Sequence, residues 1–237
     1  MSKANQNKPN LVGDILRKIE KKADTGEYIY RGEPEHYRRK PYYGKVSSNL
    51  YRVFLEDKEF NVETEHFDIE MIQAEMLETC QLFARKRTTE LERLAEIQHY
   101  GGKTNFIDFT EDYLVALFMA CDNSLKRNGR IIMEKKEQIN PYIEKSYEPI
   151  NRIIAQKSVF VRHPDGFIQP NEDDVINIPV NLKQPILEHL EKAHGISAET
   201  IYNDIHGFIR HQSLKLETYK TIFKGLAEKQ KGDSEDG

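Results

Sequence analysis

At 237 residues, with 35 basic and 39 acidic side chains for a net charge of −4, the chain is long enough for one sizeable domain or two small ones and has no global polyelectrolyte character. Hydrophobic residues make up 38% and charged residues 31%, which describes an adequate core under a heavily charged surface. No apolar run approaches the roughly 18 residues a membrane span needs, the polar start through Asn10 carries no signal-peptide segment, and the two cysteines, Cys80 and Cys121, read as buried thiols rather than a disulfide. A cytoplasmic protein with no membrane association is expected.

In chain order, Asn10 is a candidate N-cap for an amphipathic helix carrying Leu11, Ile15 and Ile19, ended at Thr25-Gly26. Tyr28-Ile29-Tyr30 reads as a short strand. From Gly32 to about Phe60 no clean period appears, and Pro34, Pro41 and Gly44 mark a loop-rich stretch too long for an ordinary connection. From Phe67 a helical stripe runs through Ile69, Ile72, Met76, Leu77, Cys80 and Phe83, with Met71 and Met76 expected in the core. A second helix spans about 89–98 and stops at Gly101-Gly102. Asn105-Phe106-Ile107 reads as a strand, after which Thr110 caps an almost wholly apolar helix over 114–121 with Glu111 and Asp112 in its first turn. Strands are expected at 129–133, 158–161 and 175–179, and helices at about 182–194, ended by Gly195, and after His206. The elements divide the chain into an N-terminal helical segment at 1–24, a main domain at 25–226 and a disordered acidic tail at 227–237. Strands and helices do not alternate strictly, so the reading is α+β: one small mixed sheet with several packed helices.

Three segments carry the chemistry. In Tyr30-Arg31-Gly32-Glu33 an Arg after a short strand, followed by a Gly, puts a guanidinium at the sheet's edge, suited to bidentate recognition of phosphate or carboxylate; the bland alternative is a surface salt bridge and a turn. In the run from Gln98 through His99, Tyr100, Thr104 and Asp108 to Thr110, a polar helix end passes two glycines and a strand before a buried helix. Backbone N–H groups of Gly101, Gly102 and that helix's start could face an anion, or the segment is an ordinary capped connection. Arg152 and Gln156, four apart before an apolar strand, point into one cleft or form a plain loop.

Taken together, the order of these motifs resembles the FRG family, named for its aromatic-Arg-Gly signature. The chain has Tyr30-Arg31-Gly32, then Gln98-His99-Tyr100-Gly101 with Asp108-Phe109-Thr110, then Ala116-Leu117-Phe118-Met119-Ala120, then Arg152, Gln156 and Phe160. The resemblance covers about 28–160. Ser47-Ser48-Asn49-Leu50-Tyr51-Arg52 looks like the family's Ser-Leu-x-Arg segment, and Gly195-Ile196 continues it weakly. Lys103, Asn105, Ile107 and Ser158 depart from the family's Pro, Arg, Leu and Gly. By fold-level analogy the arrangement looks like that of ADP-ribosyltransferases. That resemblance implies an NAD-dependent ADP-ribosyltransferase or a protein that binds ADP-ribose or another nucleotide, in prokaryotic defence or a toxin system, with NAD as cofactor and a nucleic acid or protein as substrate. Carried over residue by residue, Arg31, Asp108, Thr110 and Gln156 are the catalytic candidates. Tyr30, Arg31, Gly32, Glu33, Gln98, His99, Tyr100, Thr104 and Arg152 are the cofactor-binding ones. The carboxylate that steadies the oxocarbenium-like ribose comes from Glu33 or Asp108; without it the protein binds a nucleotide and catalyses nothing.

A rival reading starts from 28–52, which holds six tyrosines (28, 30, 37, 42, 43 and 51) and six basic residues (Arg31, Arg38, Arg39, Lys40, Lys45, Arg52) against Glu33 and Glu35, a local charge of +4. Basic side chains with interleaved aromatics suit a non-catalytic module for single-stranded nucleic acid, unless the stretch is a solvated loop packed by its tyrosines. No metal is expected: His189/His194 and His206/His211 are five apart, off the spacing that puts two ligands on one helix face, and no Walker or Rossmann glycine pattern occurs.

Overall fold

The computed structural model describes residues 11–35, 44–63, 67–83, 89–122, 124, 126–144 and 155–204, with positions 209, 216, 220 and 223 beyond them. The first helix, α1 (Leu11–Ala23), turns Ile15, Leu16 and Ile19 inward, and Gly26, at a φ of +70°, reverses the chain into β1 (Tyr28–Glu33). Period-two alternation sends Tyr28 and Tyr30 to one face of the sheet and Ile29 to the other. After β2 (Val46–Ser47), the Ser48 hydroxyl accepts from Tyr51 N at 3.1 Å and starts α2 (Asn49–Glu56). The helix α3 (Ile69–Gln81) is capped by Asp68. The next, α4 (Glu90–His99), opens on a capping box between Thr89 and Glu92.

The centre of the fold is β3 (Ile107–Thr110), α5 (Tyr113–Cys121) and β4 (Gly129–Lys135). The short helix α6 (Lys136–Ile139), β5 (Ile143–Glu144), β6 (Ser158–Val161), β7 (Phe167–Ile168), β8 (Val175–Ile178), α7 (Val180–His194) and α8 (Ala198–Ile201) complete it. Among the described residues the main sheet has six strands in the order β5-β6-β3-β1-β4-β8, antiparallel at every pairing, and β2 and β7 form a separate antiparallel pair. On one face, α1, α5, α7 and α8 bury Tyr30, Ile131, Met133 and Ile178 against Phe118, Ile186 and Leu190. The opposite face packs Ile29, Ile107, Phe109, Ile132 and Val161 against Val46, Ile139 and Ile168.

The apolar helix lies directly on the strand backbones because two glycines let it. A Cβ at Gly32 would stand 1.9 Å from Ala116 O, and one at Gly129 would stand 2.2 Å from Ala120 O. Gly32 is therefore an extended strand residue under a helix and not part of a turn. Buried Lys183 then ties α7 to the loops, donating at 2.6 Å to the carbonyls of Pro34 and Ser124.

The structure has the α+β class expected from the sequence, with a sheet that is larger than expected and antiparallel rather than mixed. Strands at Tyr28–Glu33, Ile107–Thr110 and Ser158–Val161 are neighbours in that sheet, and α5 packs on it. Several readings need correction. β1 is interior to the sheet, so Arg31 is not at an edge. The third strand starts at Ile107 rather than Asn105, and Asp112, not Thr110, caps α5, its side chain accepting from Leu114 N. The stretch read as loop contains β2 and α2. Met71 and Met76 are exposed, because α3 turns Ile69, Gln73 and Leu77 inward. Cys121 is buried but Cys80 only partly so, and both are free. Asn10, the segment after His206 for the most part, and the tail at 227–237 lie outside the described residues.

Candidate functional site

The site begins where the two central strands stop pairing. Among the described residues the β1/β3 ladder registers only Tyr30 opposite Thr110, although β1 continues its pairing with β4 to Glu33. Past that point Arg31 Nη1 donates to the Asp108 carbonyl at 2.8 Å, so a guanidinium takes up a carbonyl the ladder would otherwise use. Its Nε donates to Glu33 Oε1 at 3.0 Å.

Glu33 is 1% exposed and stands among three arginines. Arg130 reaches its Oε2 through Nε at 2.8 Å and Nη2 at 2.7 Å, and Arg52 Nη2 lies 3.5 Å from Oε1. Burial works against its charge, but Arg31, Arg130 and Arg52 more than offset that and hold its carboxyl below the usual range. One carboxylate among three guanidiniums leaves this corner of the fold positive. Glu33 is thus the buried anchor of Arg31, and of the two carboxylates considered for the reacting ribose only Asp108 lines the cavities described next.

Asp108 stands between Ile107 and Phe109 and so faces the side of the sheet carrying α4 and α5. Its carboxyl is open to the cleft yet surrounded by protein. Desolvation pushes its pKa up, with Arg31 and a hydrogen bond from Gln98 pulling partly back. Gln98 is fixed in turn, its Oε1 accepting from the buried Thr104 hydroxyl. Thr110 ties the end of β3 to the opposite wall: its hydroxyl donates to Gln156 O at 2.6 Å and accepts from Asp112 N at 3.0 Å. Gln156 Nε2 reaches Ile201 O at 3.3 Å. The next residue, Lys157, holds a φ of +45°, a conformation that costs energy for a residue with a Cβ. It is kept there by its carbonyl, which accepts from Glu111 N at 3.1 Å, and by its ammonium on Asp112 at 2.9 Å.

Two cavities open side by side on this face. One of about 210 Å³ is lined by Tyr30, Arg31, Gly32, Asp108, Thr110 and Gln156. The other, of about 270 Å³, is lined by Asn49, Gln98, His99, Asp108, Gln156 and Phe160. Asp108, Met119, Gln156, Ser158 and Tyr202 border both. Jointly they reach the size range of small-molecule sites, roughly 300–1,000 Å³.

Of the candidates named from sequence, Arg31, Asp108, Thr110, Gln156, Tyr30, Gly32, Gln98 and His99 line this pair of cavities. Glu33 and Thr104 are buried behind its walls, Tyr100 is 60% exposed, and Arg152 lies outside the described residues. The N–H groups of Gly101 and Gly102 bond to Gln98 O at 2.9 Å and Ile97 O at 2.8 Å, so they close α4 instead of facing an anion. Sequence reasoning missed Tyr202, Met119 and Asn49. Nothing in the spacing of Tyr202 pointed to it, since it reaches the cleft only through the packing of α8. Within the described part of the tyrosine-rich stretch, Tyr28, Tyr30 and Tyr51 are buried, Arg31 and Arg52 are tied to Glu33, and Lys45 is half-buried. Tyr37, Tyr42, Tyr43, Arg38, Arg39 and Lys40 lie outside the described residues. Also among the described residues, no cluster of His, Cys, Asp and Glu could hold a metal ion, and no helix is long and apolar enough to cross a membrane.

Fold and site together define an α+β domain whose central sheet opens beside an aromatic-Arg-Gly strand into a polar cleft. Residues 26–129 match the family model of the FRG domain, in agreement with the motifs that run from Tyr30 to Ala120. Comparison with curated proteins and with solved structures returned no match.

Proposed function

We propose that the cleft binds an ADP-ribose-containing nucleotide, NAD in the first place, and that the protein transfers ADP-ribose from it. The observation that carries this reading is convergence. Arg31, Gln98, Asp108, Thr110 and Gln156, dispersed over more than a hundred residues, meet at one pair of cavities. The chemistry of that set suits the ligand. A guanidinium in a corner of net positive charge attracts a pyrophosphate and binds it through parallel hydrogen bonds. A carboxylate placed where positive charge develops stabilises a ribose oxocarbenium, and Asp108 is the carboxylate that borders both cavities. Burial works against that charge and Arg31 and Gln98 partly restore it, so a cation developing at the ribose would favour the ionised form of Asp108.

The test is binding and turnover on the full chain. NAD and ADP-ribose should raise the melting temperature of the parent, and Arg31→Lys should weaken binding about tenfold or more while moving the melting temperature of the free protein by only a few degrees. Asp108→Asn should keep nucleotide binding and lose nicotinamide release. If the parent binds neither nucleotide at millimolar concentration, or if Arg31→Lys binds as the parent does, the reading fails.

A further inference from the structure

The cleft has two chambers, and their walls differ in character. Arg31, Tyr30 and Thr110 border only the first, while Asn49, Gln98, His99 and Phe160 border only the second. Asp108 and Gln156 stand at the junction. His99 is the last residue of α4, and its Nε2 lies 3.3 Å from Asp204 Oδ2, at ion-pair distance without the alignment of a hydrogen bond; the two side chains are 10% and 14% exposed. Asp204 follows α8, the segment that also brings Tyr202 against both chambers and offers Ile201 O to Gln156. Tyr202 is itself fixed by its hydroxyl on Asp122 Oδ2 at 3.0 Å. A carboxylate against one ring nitrogen sets the orientation of an imidazole and stabilises the imidazolium that forms when the ring takes a proton. The C-terminal end of a helix favours the same cation.

We propose that the second chamber receives the acceptor nucleophile, and that His99, oriented by Asp204, takes its proton. This rests on the nucleotide reading of the first chamber. The nicotinamide ribose would then lie at the junction beside Asp108. The acceptor, a group bearing O–H or N–H, forms a bond to ribose C1′ as the C1′–nitrogen bond to nicotinamide breaks. The electron pair of that bond stays on the nicotinamide ring nitrogen, and the acceptor's proton passes to His99 and from there to water. Asp204 is a positioning residue here, since it acts only through the imidazole.

The experiment is NMR of the full chain labelled with ¹⁵N-histidine, with the His99 signals assigned by their loss in His99→Gln. Among the described residues, the titratable groups around the ring include Asp204, Tyr100, whose ring centroid is 5.4 Å away, and Asp108 and Tyr202 on the cavity wall. Asp204→Asn should lower the His99 midpoint by about one unit or more. Saturating ADP-ribose should leave His99 titrating, because the pyrophosphate and the reacting ribose sit on the Arg31 side of the junction and the rest of the nucleotide extends from that chamber's open mouth. An unchanged midpoint in Asp204→Asn, or a ring that does not titrate, overturns the pairing. Loss of the His99 titration on adding ADP-ribose overturns the division into two chambers. A parent that binds no ADP-ribose defeats the nucleotide reading and the acceptor assignment with it, while the coupling of His99 to Asp204 is still decided on the empty protein.

Discussion

Replacing Glu33 by Gln removes one negative charge and leaves three guanidiniums around a neutral amide. Arg130 is the critical partner: its side chain is 6% exposed, against 16% for Arg31 and 18% for Arg52, so it alone has almost no water to turn to. Removing one member of a buried ion pair costs about 3–5 kcal/mol, because an uncompensated charge stays behind. Gln aggravates this, since its amide N–H groups face other donors. For a domain of this size each kcal/mol lowers the melting temperature by roughly 2–4 °C, so a fall of about 6–20 °C is expected. In urea the midpoint should drop with the slope unchanged, because the folded state keeps its extent of burial. The effect has a pH signature. Arg31, Arg130 and Arg52 lower the folded-state pKa of Glu33, so its contribution is fully present above the ordinary carboxylate value of about 4.3 and disappears as pH falls through the lower folded value. The difference between parent and variant should therefore begin to shrink below about pH 4. A loss of under 1 kcal/mol at pH 7, or a difference that does not shrink in acid, would refute the view of Glu33 as the buried anchor of Arg31.

Glu134 carries the opposite sign: burial and then Asp174 raise its pKa to about 7, so stability falls as pH climbs from about 4.5 through 7. Glu134→Gln should accordingly stabilise the protein at pH 8, by at most about 3 kcal/mol on 1.36 kcal/mol per pKa unit, and be neutral below pH 4; chemical denaturation at the two pH values checks it. Gly32→Ala should fail to give a folded protein or lose more than about 3 kcal/mol, since its methyl would overlap Ala116 O, and near-parental melting would show that α5 can lift off β1 cheaply.

The sequence exposed some of this and hid the rest for identifiable reasons. The α5 helix was plain because eight consecutive apolar residues admit only a central position, and Leu91, Leu94 and Ile97 at three-residue spacing marked α4. The helix α2 was missed although Leu50, Tyr51, Phe54 and Leu55 recur at helical spacing after a capping Ser48; the prolines and tyrosines upstream masked a pattern only two turns long. Gly32 suggested a turn because glycine's freedom is a local signal, whereas its actual role, the close approach of a helix backbone, depends on an element more than eighty residues away. The shift of the third strand has the same origin. Asn105 and Phe106 are buried before β3 begins, the one held by Gln73 and the other stacked on Phe160, so burial looked like strand.

The FRG match ends at Gly129, but neither the fold nor the cleft ends there. Gly129 is the first residue of β4, whose pairing with β1 runs through Lys135 and covers the whole length of the strand that carries Arg31. On the other side β3 gains its ladder partner only from β6, at Ser158–Val161. The matched segment thus holds both central strands and supplies neither flanking strand complete, and Arg130, the main partner of Glu33, falls one residue beyond it. The same boundary divides the site. Arg31, Gln98, His99, Asp108 and Thr110 lie inside the matched region, whereas Gln156, Ser158 and Tyr202 line the cleft from the C-terminal part, which also brings Asp204 against His99. The matched segment therefore supplies the charged groups and most of the lining of both cavities, while Gln156, Ser158, Phe160 and Tyr202 complete their walls from beyond 129.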